Sequence, residues 1–216
     1  MKNFEYILFD LDGTITDPGE GITNSVAYSL KSYGIYVEDK SQLYPFIGPP
    51  LYASYMKYYG FSKDRALEAV ERYREYYSEK GVFECTLYAG IKELMQKLSS
   101  SGKKVIIATS KPEYFAKMIL EHFGLTDYIA LVSGATLDSH RVEKADIIKF
   151  AFDALGITEP EKAVMIGDRE FDILGAKANG ISSVGVTYGY GSEQELQNAG
   201  ADFICQGVED IEKLLL

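Results

Sequence analysis

Runs of apolar residues alternate with helix-like stretches through most of the chain. Such continuous apolar runs are typical of strands that are buried on both faces of a parallel sheet. The predicted strands are residues 6–9, 104–109, 128–133, 163–167 and 182–186, with a short one near 202–205. The predicted helices are residues 89–99, 112–123, 143–155 and 170–178, with a last one beginning at Val208. This alternation predicts an α/β fold in which helices cover both faces of a parallel sheet.

The segment between Ile15 and Cys85 breaks this alternation. It shows no strand signal but three helical stretches, near residues 20–33, 50–59 and 63–79. We therefore expect an all-helical domain inserted directly after the first strand. The expected domains are a core of residues 1–14 and 86–216 and an insert of residues 15–85.

The first predicted strand ends in two acidic residues. Asp10 closes the apolar run and Asp12 follows two positions later, so both carboxylates of an extended chain can face one small volume. Gly13 allows the backbone to turn, and Thr14 adds a hydroxyl. Two adjacent carboxylates repel unless one takes up a proton or a cation lies between them, and a metal with oxygen ligands relieves this most naturally. An ordinary Asx turn is the alternative.

Two further predicted strands also end in polar residues. Thr109 closes one of them, and Pro112 suits the first turn of the next helix, where a hydroxyl and free backbone N–H groups can bind an anion. Asp168 closes the other, with Asp172 four residues later; a simple helix cap is the alternative for Asp168. Because ligands bind at the carboxyl ends of parallel strands, we expect these groups at one site. With a divalent metal, such a set can transfer a phosphoryl group.

Residues 9–14, Phe-Asp-Leu-Asp-Gly-Thr, resemble the first motif of the haloacid dehalogenase superfamily, whose commonest members are Mg²⁺-dependent phosphatases with a Rossmann-like core. The resemblance implies that Asp10 is the nucleophile that forms an aspartyl-phosphate. It implies that Asp12 protonates the leaving oxygen and then deprotonates the attacking water. Thr109 then matches the phosphate-binding hydroxyl, and Lys144 matches the lysine that bridges the nucleophile and the phosphoryl oxygens. For Lys144 taken alone, a solvated surface position is the alternative.

The resemblance also implies a metal site. Asp168 matches the family's Mg²⁺ ligand, and Asp172 matches the acidic residue that orients the metal or its waters. Asp10 and the backbone carbonyl of Asp12 complete the expected ligand set. The other residues expected to contact the substrate are Thr14, Ser110, Lys111 and Arg141. For Lys111, a solvated position is the alternative.

The helical insert resembles the family's mobile cap, where the choice of substrate is expected to lie. Eleven of the seventeen tyrosines fall between Ile15 and Cys85. Either they pack the helices, or one or two line a pocket and stack on an aromatic leaving group. The loop 46–51 combines two prolines with Gly48 and suits a rigid lip that contacts the substrate. The insert resembles the phosphoglycolate-phosphatase-like branch and, within it, members described as 5′-nucleotidases.

Composition argues against several other classes of protein. The net charge is −10 and no block of Lys or Arg occurs, so a nucleic-acid partner is not expected. No apolar run is long enough to span a bilayer, and early charges argue against a signal peptide. Cys85 and Cys205 lack metal-type spacing and are expected to be buried free thiols of a reduced, cytoplasmic protein. We expect a monomer or homodimer.

The resulting hypothesis is a Mg²⁺-dependent phosphomonoester hydrolase. Its expected substrate is a small phosphorylated metabolite, either a 5′-nucleotide or a phosphoglycolate-like molecule. Three alternatives stay open. A mutase of the same family would return the phosphoryl group to a sugar, a dehalogenase would not need the metal acids, and a non-enzymatic regulator would only accept phosphate.

Overall fold

The computed structural model describes residues 3–136 and 141–216 and is built around a parallel sheet. The strands are β1 (Tyr6–Phe9), β2 (Thr16–Asp17), β3 (Thr86–Leu87), β4 (Lys104–Pro112), β5 (Ile129–Ala135), β6 (Ala163–Gly167), β7 (Ser182–Val186) and β8 (Phe203–Cys205). Six of them form one sheet in the order β5-β4-β1-β6-β7-β8, and β2 pairs with β3. The predicted α/β fold with a parallel sheet is confirmed.

Nine α-helices occur in the described ranges. They are α1 (Gly19–Lys31), α2 (Leu51–Tyr59), α3 (Lys63–Tyr76), α4 (Ile91–Ser100), α5 (Glu113–His122), α6 (Lys144–Leu155), α7 (Glu170–Ala178), α8 (Glu193–Ala199) and α9 (Val208–Leu215). Short 3₁₀ segments span Lys40–Phe46, Thr126–Tyr128 and Pro160–Lys162, and a π turn spans Tyr77–Gly81. Within these ranges, no helix has both the length and the apolar character needed to cross a bilayer.

Strand β1 lies between β4 and β6, and this position determines where the polar residues meet. Phe9, its last residue, is in register with Ile107 of β4 and Ile166 of β6. The chain runs outward from β1 through β4 and β5 on one side and through β6, β7 and β8 on the other. The strand order therefore reverses at β1, and in open α/β sheets such a switch point opens a crevice at the carboxyl ends of the strands.

The chain divides into two compact units, Met1–Thr16 with Leu87–Leu216, and Asp17–Thr86. In the second unit α1 packs against α3, and Ser29 Oγ donates a hydrogen bond to Ala69 O (2.7 Å). Tyr55 is fully buried there and stacks on Phe61, with 5.9 Å between the ring centroids. The tyrosines of this unit that are more than 40% exposed are Tyr28, Tyr36, Tyr44, Tyr52 and Tyr58. Packing thus accounts for part of the tyrosine enrichment but not for all of it.

Three of the strands and α-helices were not predicted from the sequence. Strands β2 and β3 have two residues each, which are too few to show a period, and β2 lies in the segment for which no strand was predicted. Helix α8 was also missed, although Ser192 caps it by accepting a hydrogen bond from the Glu195 N–H (3.1 Å). A serine followed three residues later by glutamate is a helix-start signal, and it could have predicted this short helix.

Candidate active site

The first acidic pair leaves the end of β1 in a tight turn. The Asp10 N–H donates to Ile166 O of β6 (2.9 Å), and the Gly13 N–H donates to Thr16 O (2.8 Å). Gly13 has a φ of +82°, and a Cβ at this position would lie 2.6 Å from Asp168 Cγ. Both the left-handed backbone and the close approach require glycine. The turn therefore brings the first motif against the acidic end of β6.

Three carboxylates come together beside one buried lysine. One oxygen atom from each of Asp10, Asp168 and Asp172 lies within 4.8 Å of the other two. Lys144 Nζ lies 2.9 Å from Asp10 Oδ1 and 2.7 Å from Asp172 Oδ1, and it donates to Ala108 O (2.9 Å). The Lys144 side chain is only 3% exposed. It is therefore not the solvated surface residue of the alternative interpretation.

Burial and neighbouring charges shift the pKa values of three groups in this cluster, Asp168, Asp172 and Lys144. The pKa of Asp168 is raised to about 8, first by burial and then by the negative charges of Asp172 and Asp10. Burial also raises the pKa of Asp172, although the charge of Lys144 opposes it. For Lys144, burial alone would lower the pKa, but the charges of Asp10 and Asp172 outweigh it and the pKa is raised. The lysine stays charged, whereas the acids are crowded and short of positive charge.

Asp12 forms a second ion pair. Lys111 Nζ lies 2.6 Å from Asp12 Oδ2, and the Lys111 side chain is only 5% exposed. Burial raises the pKa of Asp12, although the charge of Lys111 and its hydrogen bond lower it. The alternative of a solvated Lys111 is therefore wrong. The structure places this cation against the second aspartate of the motif, a contact that the sequence did not predict.

The predicted hydroxyl groups of Thr109 and Thr14 lie near the carboxyl ends of β4 and β1. Thr109 is buried, and its Oγ1 accepts a hydrogen bond from the Lys111 N–H (3.2 Å). The pairing of β4 with β5 becomes irregular between Thr109 and Pro112, so Ser110 and Lys111 lie on an irregular extension of the strand. Thr14 is fully buried, and its Oγ1 has no hydrogen-bond partner among the residues that the structure describes.

The donor atoms of the cluster fit a hard divalent cation. Asp168 Oδ2 accepts a hydrogen bond from the Tyr190 N–H (2.7 Å), whereas Asp168 Oδ1 is buried without a hydrogen-bond partner in residues 3–136 and 141–216. An unpaired buried carboxylate oxygen is costly. Oxygen atoms are also the ligands that Mg²⁺ and Ca²⁺ prefer. Asp10, Asp168 and Asp172 together could hold such an ion.

Two other predicted substrate-binding residues, Arg141 and Gly48, have surroundings that differ from those of the carboxylate cluster. Arg141 Nε donates to Gly134 O (2.9 Å), its Nη2 contacts Glu113 Oε2 (3.1 Å), and its guanidinium lies 3.7 Å from the Phe150 ring centroid. These contacts hold the guanidinium in place without the cluster carboxylates. Gly48 belongs to the unit Asp17–Thr86, where it is exposed with a φ of +102°. Substrate contacts of both residues stay predictions.

The sequence profile of the haloacid dehalogenase-like hydrolases matches residues 7–186. This range contains both acidic motifs, Thr109 and Lys144. The chain belongs to the haloacid dehalogenase-like hydrolase family. The family predicted from residues 9–14 is thereby confirmed.

Several relatives of this hydrolase are named as enzymes that hydrolyse or transfer phosphate groups. A 5′-nucleotidase from Pseudomonas aeruginosa is 43% identical over 209 residues, which cover 97% of this chain and 94% of that protein. The solved structure of a predicted phosphatase from Clostridium acetobutylicum is 48% identical, with a TM-score of 0.94 and 98% of both chains covered. Together with the family match, these two relatives confirm the prediction of an enzyme of the phosphatase class. The tyrosine-protein kinase PtkA from Mycobacterium tuberculosis is 37% identical over 187 residues, which cover 87% of this chain and 63% of that protein.

One segment that contacts the site of this hydrolase was not predicted. Tyr188 to Gly191 follow β7, and the Tyr188 hydroxyl donates to Thr14 O (2.9 Å), while the Tyr190 N–H holds Asp168. The sequence offers a weak signal here, because glycines shortly after a buried strand can mark a close approach of the backbone. The local sequence does not indicate which residues the segment approaches.

Proposed function

We propose that this hydrolase is a Mg²⁺-dependent phosphomonoesterase that works through an aspartyl-phosphate on Asp10. The proposal depends on the surroundings of Asp10 at the end of β1. Its Oδ1 contacts the ammonium group of Lys144 at 2.9 Å, and Asp168 and Asp172 lie beside it. The side chain is 13% exposed, which leaves it accessible to a small phosphoryl group. A carboxylate that is fixed beside a cation and still accessible is suited to nucleophilic attack.

The proposed reaction has two halves that move one proton in opposite directions. In the first, an Asp10 oxygen attacks phosphorus, the bond from phosphorus to the leaving oxygen breaks, and Asp12 gives its proton to that oxygen. In the second, Asp12 accepts a proton from a water molecule whose oxygen attacks phosphorus, releasing inorganic phosphate and free Asp10. The raised pKa of Asp12 supports this role, because a buried carboxyl group can hold the proton until it is needed.

Two residues of the chain offset negative charge during both halves. Lys144 is fixed by Asp10, Asp172 and Ala108 O, so its charge needs no rearrangement when charge builds up on the phosphoryl oxygens. The Thr109 hydroxyl, at the carboxyl end of β4, is proposed to donate to one of these oxygens. Mg²⁺, when held by Asp10, Asp168 and the carbonyl of Asp12 with Asp172 in support, supplies further positive charge beside the phosphoryl group.

We propose a 5′-nucleotide as the substrate, with residues 15–85 acting as the cap that selects the leaving group. The 43% identical relative named 5′-nucleotidase supports this choice, because the similarity extends over nearly the whole of both chains. The exposed tyrosines of the Asp17–Thr86 unit also support it, since aromatic rings can stack on a base.

Phosphate release from a small panel tests the substrate proposal. Purine and pyrimidine 5′-monophosphates, 2-phosphoglycolate, pyrophosphate and glucose 1-phosphate are compared with Mg²⁺ and with EDTA. The proposal predicts the highest kcat/KM for a 5′-monophosphate and loss of turnover in EDTA. A preference for phosphoglycolate would reject a 5′-nucleotide as the substrate but would still support the proposed phosphomonoesterase reaction. Conversion of glucose 1-phosphate to another sugar phosphate, without phosphate release, would indicate a mutase.

Two variants test the aspartyl-phosphate. p-Nitrophenyl phosphate has a leaving group that needs no proton, so the variant Asp12→Asn should release about one equivalent of nitrophenol per enzyme in a burst and then stall. The variant Asp10→Asn should show neither burst nor turnover. Asp153→Asn, a change on the exposed face of α6, serves as the control and should behave as wild type. A burst in the Asp10→Asn variant would reject Asp10 as the nucleophile.

The relative named as a tyrosine kinase raises a second candidate function, transfer of the phosphoryl group from Asp10 to a tyrosine hydroxyl instead of water. Incubation with γ-labelled ATP and a tyrosine-containing peptide distinguishes the two. Labelled peptide would support transfer, whereas labelled inorganic phosphate alone would support hydrolysis. A long-lived label on Asp10, without either product, would indicate a phosphate-accepting regulator.

A further inference from the structure

The segment Tyr188–Gly191, which follows β7, lies directly against the end of β6. The Tyr190 N–H donates a 2.7 Å hydrogen bond to Asp168 Oδ2. Asp168 Oδ1, the other oxygen, is buried and has no hydrogen-bond partner within the described ranges. The carboxylate therefore has one oxygen held by the protein and one left open to a ligand.

The two glycines of this segment are required by close contact rather than by backbone conformation. Neither Gly189 nor Gly191 has a positive φ. A Cβ at Gly189 would lie 2.5 Å from Asp168 Oδ2 and would overlap Gly13 O, and a Cβ at Gly191 would overlap Asp168 O. Real Cβ atoms do not approach other atoms this closely, so a side chain at either position would move Asp168 or the segment itself.

The same segment also contacts the turn that follows β1. The Tyr188 hydroxyl donates to Thr14 O (2.9 Å), and its ring packs edge-on against Tyr88, with 4.7 Å between centroids. Tyr188 thus holds the turn after β1, and Tyr190 holds the acid after β6. One short segment therefore links the two motifs that supply Asp10 and Asp168.

We infer that Tyr188–Gly191 is the positioning element that holds Asp168 with Oδ1 directed to the divalent cation, and that Gly189 and Gly191 are glycines for this reason. The inference rests on the proposed Mg²⁺ dependence. Partners that orient a metal ligand typically contribute about 10- to 100-fold to metal affinity. Residues of the segment need not touch the substrate or the cation to have this effect.

The variant Gly189→Ala tests the inference, with Gly207→Ala as the matched control. Gly207 has an extended backbone, and a Cβ there meets nothing within 4 Å. Mg²⁺ affinity is measured by titration calorimetry and by the Mg²⁺-dependent rise in melting temperature, both without substrate. We expect the dissociation constant of Gly189→Ala to increase about 10- to 100-fold and that of Gly207→Ala to change by less than about twofold.

An activity titration separates positioning from general damage to the fold. If Gly189 acts through Asp168, raising Mg²⁺ should restore kcat towards the wild-type value while the Mg²⁺ concentration for half-activation stays higher. If Gly189→Ala does not fold, Tyr188→Phe decides, because it removes only the hydrogen bond to Thr14 O. We expect about a 3- to 10-fold weaker Mg²⁺ affinity for this variant.

The outcomes distinguish this inference from the proposed function. If wild-type protein shows no effect of Mg²⁺ on melting temperature or on phosphate release, the proposed metal dependence is wrong and the inference falls with it. If wild type binds Mg²⁺ and the folded variants bind it equally well, the inference alone is overturned. Weaker binding by Gly189→Ala or Tyr188→Phe, with the control unchanged, supports it.

Discussion

Replacing Lys144 with methionine removes the positive charge that Asp10 and Asp172 share. Methionine nearly matches lysine in length, so the change removes the charge while filling most of the same space. The lysine Nζ lies 2.9 Å from Asp10 Oδ1 and 2.7 Å from Asp172 Oδ1. Asp172 is buried, so in the variant its charge is left without an adjacent cation and with little access to water.

The expected loss of stability follows from these distances. At an effective dielectric constant of about 20, each ion pair is worth about 6 kcal/mol, but the cost of burying the ammonium group is recovered in the variant. Breaking a buried ion pair on one side typically leaves a net loss of about 3–5 kcal/mol. For a chain of this size, that corresponds to a melting temperature about 6–20 °C lower.

The loss should also depend on pH in a defined direction. Burial raises the pKa of Asp172, and removal of Lys144, whose charge lowers that pKa, raises it further. When folding raises the pKa of a carboxyl group, the folded protein loses stability as pH rises through that range. The loss of stability caused by Lys144→Met should therefore be larger at about pH 8 than at about pH 5.5.

Urea unfolding in EDTA at both pH values measures the effect. The matched control is Lys149→Met on the same helix, because that lysine is 70% exposed and its partner Asp153 lies 3.8 Å away. Exposed pairs of this kind are worth a few tenths of a kcal/mol. The reasoning is refuted if Lys144→Met is within about 1 kcal/mol of the control, or if its penalty shrinks as pH rises.

Three further predictions concern other charged groups of the chain. In EDTA, Asp168→Asn should be more stable than wild type at alkaline pH. The pKa of Asp168 is raised from 3.8 to about 8, so ionisation of Asp168 costs the folded protein stability across that interval. The variant should also lose the Mg²⁺-dependent rise in melting temperature, and an unchanged rise would contradict Asp168 as a metal ligand. Lys111→Met should lower kcat/KM about 10-fold or more for an alkyl phosphate and less for p-nitrophenyl phosphate. This ratio reports the formation of the aspartyl-phosphate, where only the alkyl leaving group needs the proton of Asp12, and equal losses in kcat/KM would contradict that role of Asp12. Cys85 is only half-buried, so the expectation of a buried thiol is wrong for it, whereas Cys205 is buried as expected. Iodoacetamide should label Cys85 well before Cys205, because burial and then the charge of Asp210 raise the pKa of Cys205 to about 11, and peptide mass spectrometry would show the order.

The acidic part of the site could be predicted because it depends only on strand identity and order. Asp10 and Asp168 each follow a buried apolar run, and those runs become the parallel neighbours β1 and β6, with Phe9 in register with Ile166. Residues that follow paired positions on parallel neighbours leave the sheet at the same edge. The convergence of the two acids is therefore a consequence of topology: the fold class predicted both at the carboxyl end of the sheet, and the pairing of β1 with β6 makes them neighbours.

The partners of the cations could not be predicted in this way. Lys111 and Asp12 are 99 positions apart, and their contact depends on the irregular pairing of β4 between Thr109 and Pro112. Arg141 carries the same charge as Lys144, yet it contacts Gly134 O and Glu113. Which cation meets which carboxylate is decided by side-chain packing and local irregularity, and neither leaves a periodic signal in the sequence.

Charge balance explains why this arrangement suits a divalent cation in particular. Two buried lysines face four acidic side chains: Asp10, Asp12, Asp168 and Asp172. One lysine pairs with Asp12, the other is shared by Asp10 and Asp172, and Asp168 is held by a backbone N–H that carries no full charge. When all four acids are ionised, before Asp12 takes up the proton that it gives to the leaving oxygen, they exceed the lysines by two charges, which Mg²⁺ would balance. A monovalent ion would leave one buried charge uncompensated, which is expensive in such surroundings. The crowding that makes the metal-free acids costly is therefore the source of the proposed selectivity for a doubly charged ion.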